Sequence, residues 1–200
     1  MAKRNVVFKA GRCFHIYNRG AGKAKIFFEE DNYIYFLKKM KEYAAKYEFS
    51  VIAYCLMPNH FHLLVRQDSE QPLNIALGFI FNTYTKAINK RYSRSGTLFE
   101  GSFKSIYVED TKYLIELSRY IHRNPIDDGL VKNIEDWKYS NYHEWINKRN
   151  GSLFDEQFRD KYFPSGKGYE NFVITHLSNK QVTKMIKQYL LKLKSGEAHL

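Results

Sequence analysis

The chain of 200 residues carries 32 Lys and Arg against 21 Asp and Glu, a formal net charge of +11, with 26% charged and 16% aromatic residues. This length and apolar content suit a folded domain with a real core and argue against a disordered chain. The basic excess favours a polyanionic partner, nucleic acid before a membrane surface. No apolar run reaches membrane-spanning length, and MAKRNVVFKAGR lacks the apolar stretch of a signal peptide, so a cytoplasmic protein without membrane contact is expected. Cys13 and Cys55 each sit in an apolar run, where a free thiol behaves as a small hydrophobe.

In chain order, CFHIYNRG (13–20) reads as a strand closed by a glycine turn. EEDNYIYFLKKMKEYAAKYE (29–48) places Tyr33, Phe36, Leu37, Met40, Tyr43, Ala44 and Tyr47 at helical spacing. FSVIAYCLM (49–57) and HFHLLVRQ (60–67) are β-rich, and Pro58-Asn59 between them suits the centre of a turn, which predicts a hairpin. A second helix is predicted over 72–91, with Leu73, Leu77, Ile80, Phe81, Tyr84 and Ile88 facing the core. SRSGTLFEGSF (93–103) is loop-like and KSIYVE (104–109) a short strand. Asp110 then caps a third helix, TKYLIELSRYIHRN, which is expected to stop at Pro125.

Strand, helix, hairpin, helix, strand, helix describes an α+β sandwich with helices packed on an antiparallel sheet. DDGLVKNIEDWKYSNYHEW (127–145) is irregular, and NKRNGS (147–152) is the candidate boundary. The expected organisation is a main domain over 1–146 and a helical C-terminal extension over 147–200. That extension holds SLFDEQFRDKYF, a loop PSGKGY, and an amphipathic segment NKQVTKMIKQYLLKLK expected to dock as a helix.

Two histidines interrupt the apolar run AYCLMPNHFHLLV. Residues i and i+2 of a strand share a face about 6.5 to 7 Å apart, so His60 and His62 point one way and Phe61 the other. Such a pair can converge on a divalent ion or bond separately. In ELSRYIHRNP the third helix carries Tyr120 and Asn124 four residues apart on one face. Asn124 offers a neutral oxygen for a hard cation, with Glu116 one turn earlier as a rival ligand. Two imidazoles and an amide oxygen suit Mg²⁺ or Mn²⁺ better than a closed structural zinc site. Tyr120 is a potential nucleophile, singled out from 16 tyrosines by this combination alone.

MPNHFHLLV, with CFHIYNRG before it and GTLFEGSFKSIYVED and YLIELSRYIHRNPI after it, resembles the single-tyrosine HUH transposases. Within them it looks like the branch associated with repetitive extragenic palindromes (REP), relatives of the insertion-sequence 200 type. The match runs over roughly residues 11 to 145. The resemblance implies a ferredoxin-like, RRM-like α+β fold with the histidine pair on a central strand. It implies a DNA transposase that cleaves and rejoins single-stranded DNA beside a hairpin. Tyr120 would form a 5′-phosphotyrosine intermediate, His60, His62 and Asn124 would hold Mg²⁺ or Mn²⁺, and no nucleotide cofactor would be needed. It leaves open a monomer or a homodimer.

Arg19, Lys104, Arg119 and Arg123 are candidates for holding DNA phosphates. A catalytically silent DNA-hairpin-binding protein is the alternative within this fold. An RNA-binding α+β sheet is a further one, but gives no reason for paired histidines on the sheet face.

Overall fold

A computed structural model describes residues 6–175 and position 188 of the chain. Four strands, β1 (Cys13–Arg19), β2 (Phe49–Met57), β3 (His60–Gln67) and β4 (Lys104–Val108), form an antiparallel sheet in the order β2-β3-β1-β4. The Pro58-Asn59 turn joins β2 to β3, pairing Met57 with His60 and Cys55 with His62. β1 then lies against β3, with Tyr17 opposite both His62 and Lys104.

Strand alternation divides the molecule into two layers. Phe14, Ile16, Phe61, Leu63 and Val65 pack beneath α1 (Glu30–Tyr47) and α2 (Leu73–Arg91). Cys13, Cys55, Met57 and Leu64 face the opposite layer, built from α3 (Thr111–Asp127), α4 (Tyr142–Trp145), α5 (Glu156–Tyr162) and α6 (Gly166–Ile174). The α+β sandwich read from the sequence is therefore the observed architecture, with helices following it towards the C-terminus. Both cysteines are buried and free, and among the described residues no helix is long and apolar enough to cross a membrane.

Local chemistry sets the element ends. Asp110 caps α3 by accepting from Tyr113 N at 2.9 Å. Gly20 ends β1 where a Cβ would collide with the Ala24 carbonyl, and its N–H donates to Asn59 O at 2.8 Å, tying β1 to the hairpin turn. The third helix does not stop at Pro125 but runs through it to Asp127. Proline has no N–H to give the preceding turn. There Asn124 Nδ2 turns back instead, to Tyr120 O at 2.7 Å and Ile121 O at 3.4 Å. Gly129, at φ 70°, supplies the left-handed residue that ends the helix.

PSGKGY is likewise not a loop throughout. Ser165 caps α6 by accepting from Gly168 N at 3.2 Å, and Gly166 is small because the Ile146 backbone approaches it.

Among the described residues, the chain beyond 147–152 continues into the second layer. Asp155 N bonds Val51 O at 3.1 Å, and Phe158, Tyr169 and Val173 join the layer that contains Leu64 and Leu117. Residues 147–175 are thus packed on the sheet and on α3. The amphipathic segment 179–194 falls outside the described residues, apart from position 188.

A buried polar network crosses this second layer. Asn141 Oδ1 accepts from Tyr54 N at 2.7 Å and pairs with His122 Nε2 at 2.9 Å, while Asn141 Nδ2 donates to Ile52 O at 3.0 Å. Tyr169 OH completes the set on His122 Nδ1 at 2.6 Å. One carboxamide thus couples β2, at its bulge near Ile52, to the middle of α3.

We expect Asn141→Ala to lower unfolding free energy in urea by about 3 kcal/mol, since it strands buried partners on β2 and α3. Burial also pushes the His122 imidazole down to about 3 from 6.5. The unfolded chain therefore takes up a proton below pH 6.5 that the folded chain refuses until near pH 3. Stability is unaffected by this residue above 6.5 and falls as pH drops through that window, by up to about 1.4 kcal/mol per pH unit. Urea melts at a series of pH values check the slope.

Candidate active site

α3 lies across β2 and β3 with Leu114, Leu117 and Ile121 buried against the sheet. This packing carries Tyr120 and Asn124 onto the imidazoles of β3. The His60 and His62 rings are 5.2 Å apart and steeply inclined, and the Tyr120 ring stands edge-on to His62 at 5.5 Å. The Asn124 side chain lies beside His60 and acts to raise its pKa. Because Asn124 Nδ2 is committed to helix carbonyls, its oxygen is the free end. The tyrosine and both histidines meet within one chain.

His60 Nδ1 lies 2.7 Å from Asn59 Oδ1. That oxygen can only accept, so Nδ1 carries the proton and Nε2 keeps its lone pair. Burial lowers the His60 pKa, with Asp128 and Asn124 pulling the other way. His62 is driven well below the ordinary value, first by burial and then by repulsion from His15 and His60. Both imidazoles are therefore neutral near pH 7, as metal ligands must be. The Tyr120 phenol is shifted the opposite way, upward, by burial first and then by Asp128, Asp127 and Tyr17.

The donor set fits a hard divalent cation through two nitrogens and the Asn124 oxygen. Among the described residues no group of three His, Cys, Asp or Glu side chains could hold a metal, so that amide is essential to the fit. Glu116, the rival ligand, is instead ion-paired with Arg119.

An open cavity of about 460 Å³ runs from the histidine pair along β1, lined by Tyr17, Asn18, Arg19, Lys23, Asn59 and Lys104 among others. Two of the four basic residues expected at DNA thus border the site. Arg19 does so in an exposed ion pair with Glu100, and Lys104 lies 5.9 Å from the Tyr17 ring centre.

The other two are turned away. Arg119 is 0% exposed, stacked 4.5 Å over the Phe172 ring and paired with Glu116. Arg123 donates to Val173 O at 3.2 Å and faces Asp127 at 3.6 Å. Both are spent on α6 and on α3 itself, a geometry in which Arg119 offers no surface to a phosphate.

Sequence reasoning missed Asp128, the carboxylate acting on both His60 and Tyr120. Its signal was the spacing four residues beyond Asn124. It also missed His15 and Tyr17, which alternate on the same face of β1 as Cys13.

Comparison with known proteins matches residues 12–124 to the family model described as "Transposase IS200 like". This sheet, with its paired histidines and tyrosine helix, is the framework of a transposase domain, and the chain belongs to the IS200-like transposase family. A Haemophilus influenzae protein assigned to the REP-associated tyrosine transposases is 27% identical over 119 residues, covering 54% of this chain and 67% of that protein. The solved structure of a REP-associated tyrosine transposase bound to a REP hairpin shares the fold at TM-score 0.62 and 17% identity, over 78% of this chain and 98% of that one.

The two arginines can be told apart from Lys104 by stability. Arg119→Ala removes packing on Phe172 and leaves Glu116 unpaired, and should cost about 2 kcal/mol of unfolding free energy. Lys104→Ala, at the exposed cavity edge, should stay within about 0.5 kcal/mol of the wild type.

Proposed function

We propose that the chain cleaves and rejoins single-stranded DNA beside a hairpin, using Tyr120 as nucleophile and Mg²⁺ or Mn²⁺ held by His60, His62 and Asn124. The observation that carries this reading is the approach of Tyr120 to the two neutral imidazoles of its own chain. The hairpin-bound relative of the same fold supports DNA as the partner.

In the first step Tyr120 Oη attacks the scissile phosphorus. The Oη–P bond forms, the bond from phosphorus to the 3′ oxygen breaks, the phenolic proton passes to water, and the leaving 3′ oxygen takes up a proton. The 5′-phosphotyrosine link conserves the bond energy, so a 3′ hydroxyl can reverse the step or join a new end without a nucleotide cofactor. A divalent ion, when bound, polarises the phosphate and offsets charge on the leaving oxygen.

The chain's own residues do the remaining work. His60 and His62 stay unprotonated in their buried setting, and Asn124 presents its oxygen. Lys104, Lys23 and Arg19 border the cavity where the phosphates of the strand would lie, giving salt-dependent affinity with little sequence information. Tyr17, half-buried beside His62, offers a face on which an unpaired base can stack.

The test is incubation of 3′-labelled hairpin DNA bearing randomised single-stranded flanks with Mn²⁺, read on a denaturing gel. We expect a covalent protein–DNA adduct in the wild type that disappears in Tyr120→Phe and on chelation. Tight hairpin binding with no adduct from any flank would sink the catalytic reading in favour of a silent hairpin binder. Because burial lowers both imidazole pKa values, Mn²⁺ binding should persist near pH 5.5, where ordinary imidazoles are about nine-tenths protonated; Mn²⁺ titrations at pH 7 and 5.5 measure it.

A further inference from the structure

We propose that His15 is a positioning residue, whose Nε2 accepts a hydrogen bond from His62 Nδ1 and thereby holds His62 in the tautomer that turns a bare Nε2 to the metal. This deepens the reading given under Proposed function and rests on it.

His15 sits on β1 with its side chain on the same sheet face as His62 of β3. His15 Nε2 stands 3.0 Å from His62 Nδ1, and the rings lie 5.2 Å apart at 23°. Both are buried, His15 at 3% exposure and His62 at 9%. Tyr17 stacks against both rings, at 5.0 Å from His15 and 5.9 Å from His62, and so packs the pair in place.

Two neutral imidazoles joined by one hydrogen bond have two proton arrangements. In one, His15 donates from Nε2, which makes His62 Nδ1 the acceptor and puts the His62 proton on Nε2, where it blocks a cation. In the other, His62 donates from Nδ1, His15 accepts, and the lone pair of His62 Nε2 is bare. Only the second lets His62 ligate through the nitrogen that His15 leaves open.

The second arrangement places the His15 proton on Nδ1, an atom that is buried and has no hydrogen-bond partner among the described residues. A fold built only for packing has no use for an imidazole with an orphan nitrogen at that spot. A group that accepts the ligand's outer proton does, and metal-bound histidines are typically held by such a partner.

The test uses the full chain and Mn²⁺ alone, with affinity read by calorimetry or the electron paramagnetic resonance of free Mn²⁺. His15→Phe keeps a ring but removes the acceptor, and should weaken Mn²⁺ binding by about 10- to 100-fold in a variant that still folds and unfolds cooperatively. His15→Gln returns a polar oxygen near the position of Nε2 and should stay near the wild-type affinity.

Nitrogen-15 spectra of the histidines in the Mg²⁺-loaded wild type give a readout that needs no variant. They should show His62 protonated at Nδ1 and His15 unprotonated at Nε2. Wild-type affinity in a folded His15→Phe, or a proton on His15 Nε2 in the loaded protein, overturns the proposal while leaving the metal site standing. Absence of Mn²⁺ binding in the wild type overturns both.

Discussion

The register of a single hairpin governs whether the histidines and the tyrosine can meet. With Pro58 and Asn59 as the turn, Leu56 faces Phe61 and Cys55 faces His62. A slip of one residue would send both histidines into the aromatic layer of Phe36, Phe81 and Phe99 and push Phe61 out beneath α3. The turn is gripped from outside to prevent this. Pro58 O accepts from Ile26 N at 2.8 Å and Phe27 N at 3.0 Å, and Asn59 O accepts from Gly20 N. Burial of Ile26 and Phe27 therefore reaches the histidines through the turn backbone.

The partner half of the site depends on where α3 rests. Its apolar stripe can slide on a sheet face at small cost, whereas directional bonds cannot. Asn141 and His122 supply the directional bonds two residues from Tyr120, and they join the helix to the β2 backbone itself. Arg119 and Arg123 add contacts on the other flank, reaching carbonyls near the end of α6. The tyrosine is thus held by polar contacts that straddle it in sequence, and only its ring is left to face the histidines. The site gains rigidity because these supports are directional bonds made in a largely buried layer.

Much of this was legible in the sequence because it follows from periodicity. Alternation in residues 60–67 told which way each side chain of β3 turns, and the 3.6-residue repeat told the inner faces of α1 and α2. Spacing of four residues told that Tyr120 and Asn124 share a side of α3. The readings that failed relied on one residue judged by its type. Pro125 reads as a stop, yet it is carried inside α3 because the amide of Asn124 covers the exposed carbonyls and Gly129 is the real terminator. Gly166 and Gly168 suggested a loop, whereas close approach of the Ile146 backbone explains the first and Ser165 capping the second. Arg119 looked like a hand for phosphate, but its partners, Phe172 and Glu116, are visible only after folding. No local rule names a companion 53 residues away.

That last separation bears on how the protein is made. Synthesis proceeds from the N-terminus, so β1 to β4 and the whole of α3 exist before Tyr169, Phe172 and Val173 have been added. Until then the guanidinium groups of Arg119 and Arg123 lack their α6 carbonyls and His122 lacks its phenol. A nascent chain can assemble the sheet with its histidine pair while the tyrosine helix is still unbraced. The grouping of tyrosine and histidines is therefore finished late in translation, by residues that never touch it.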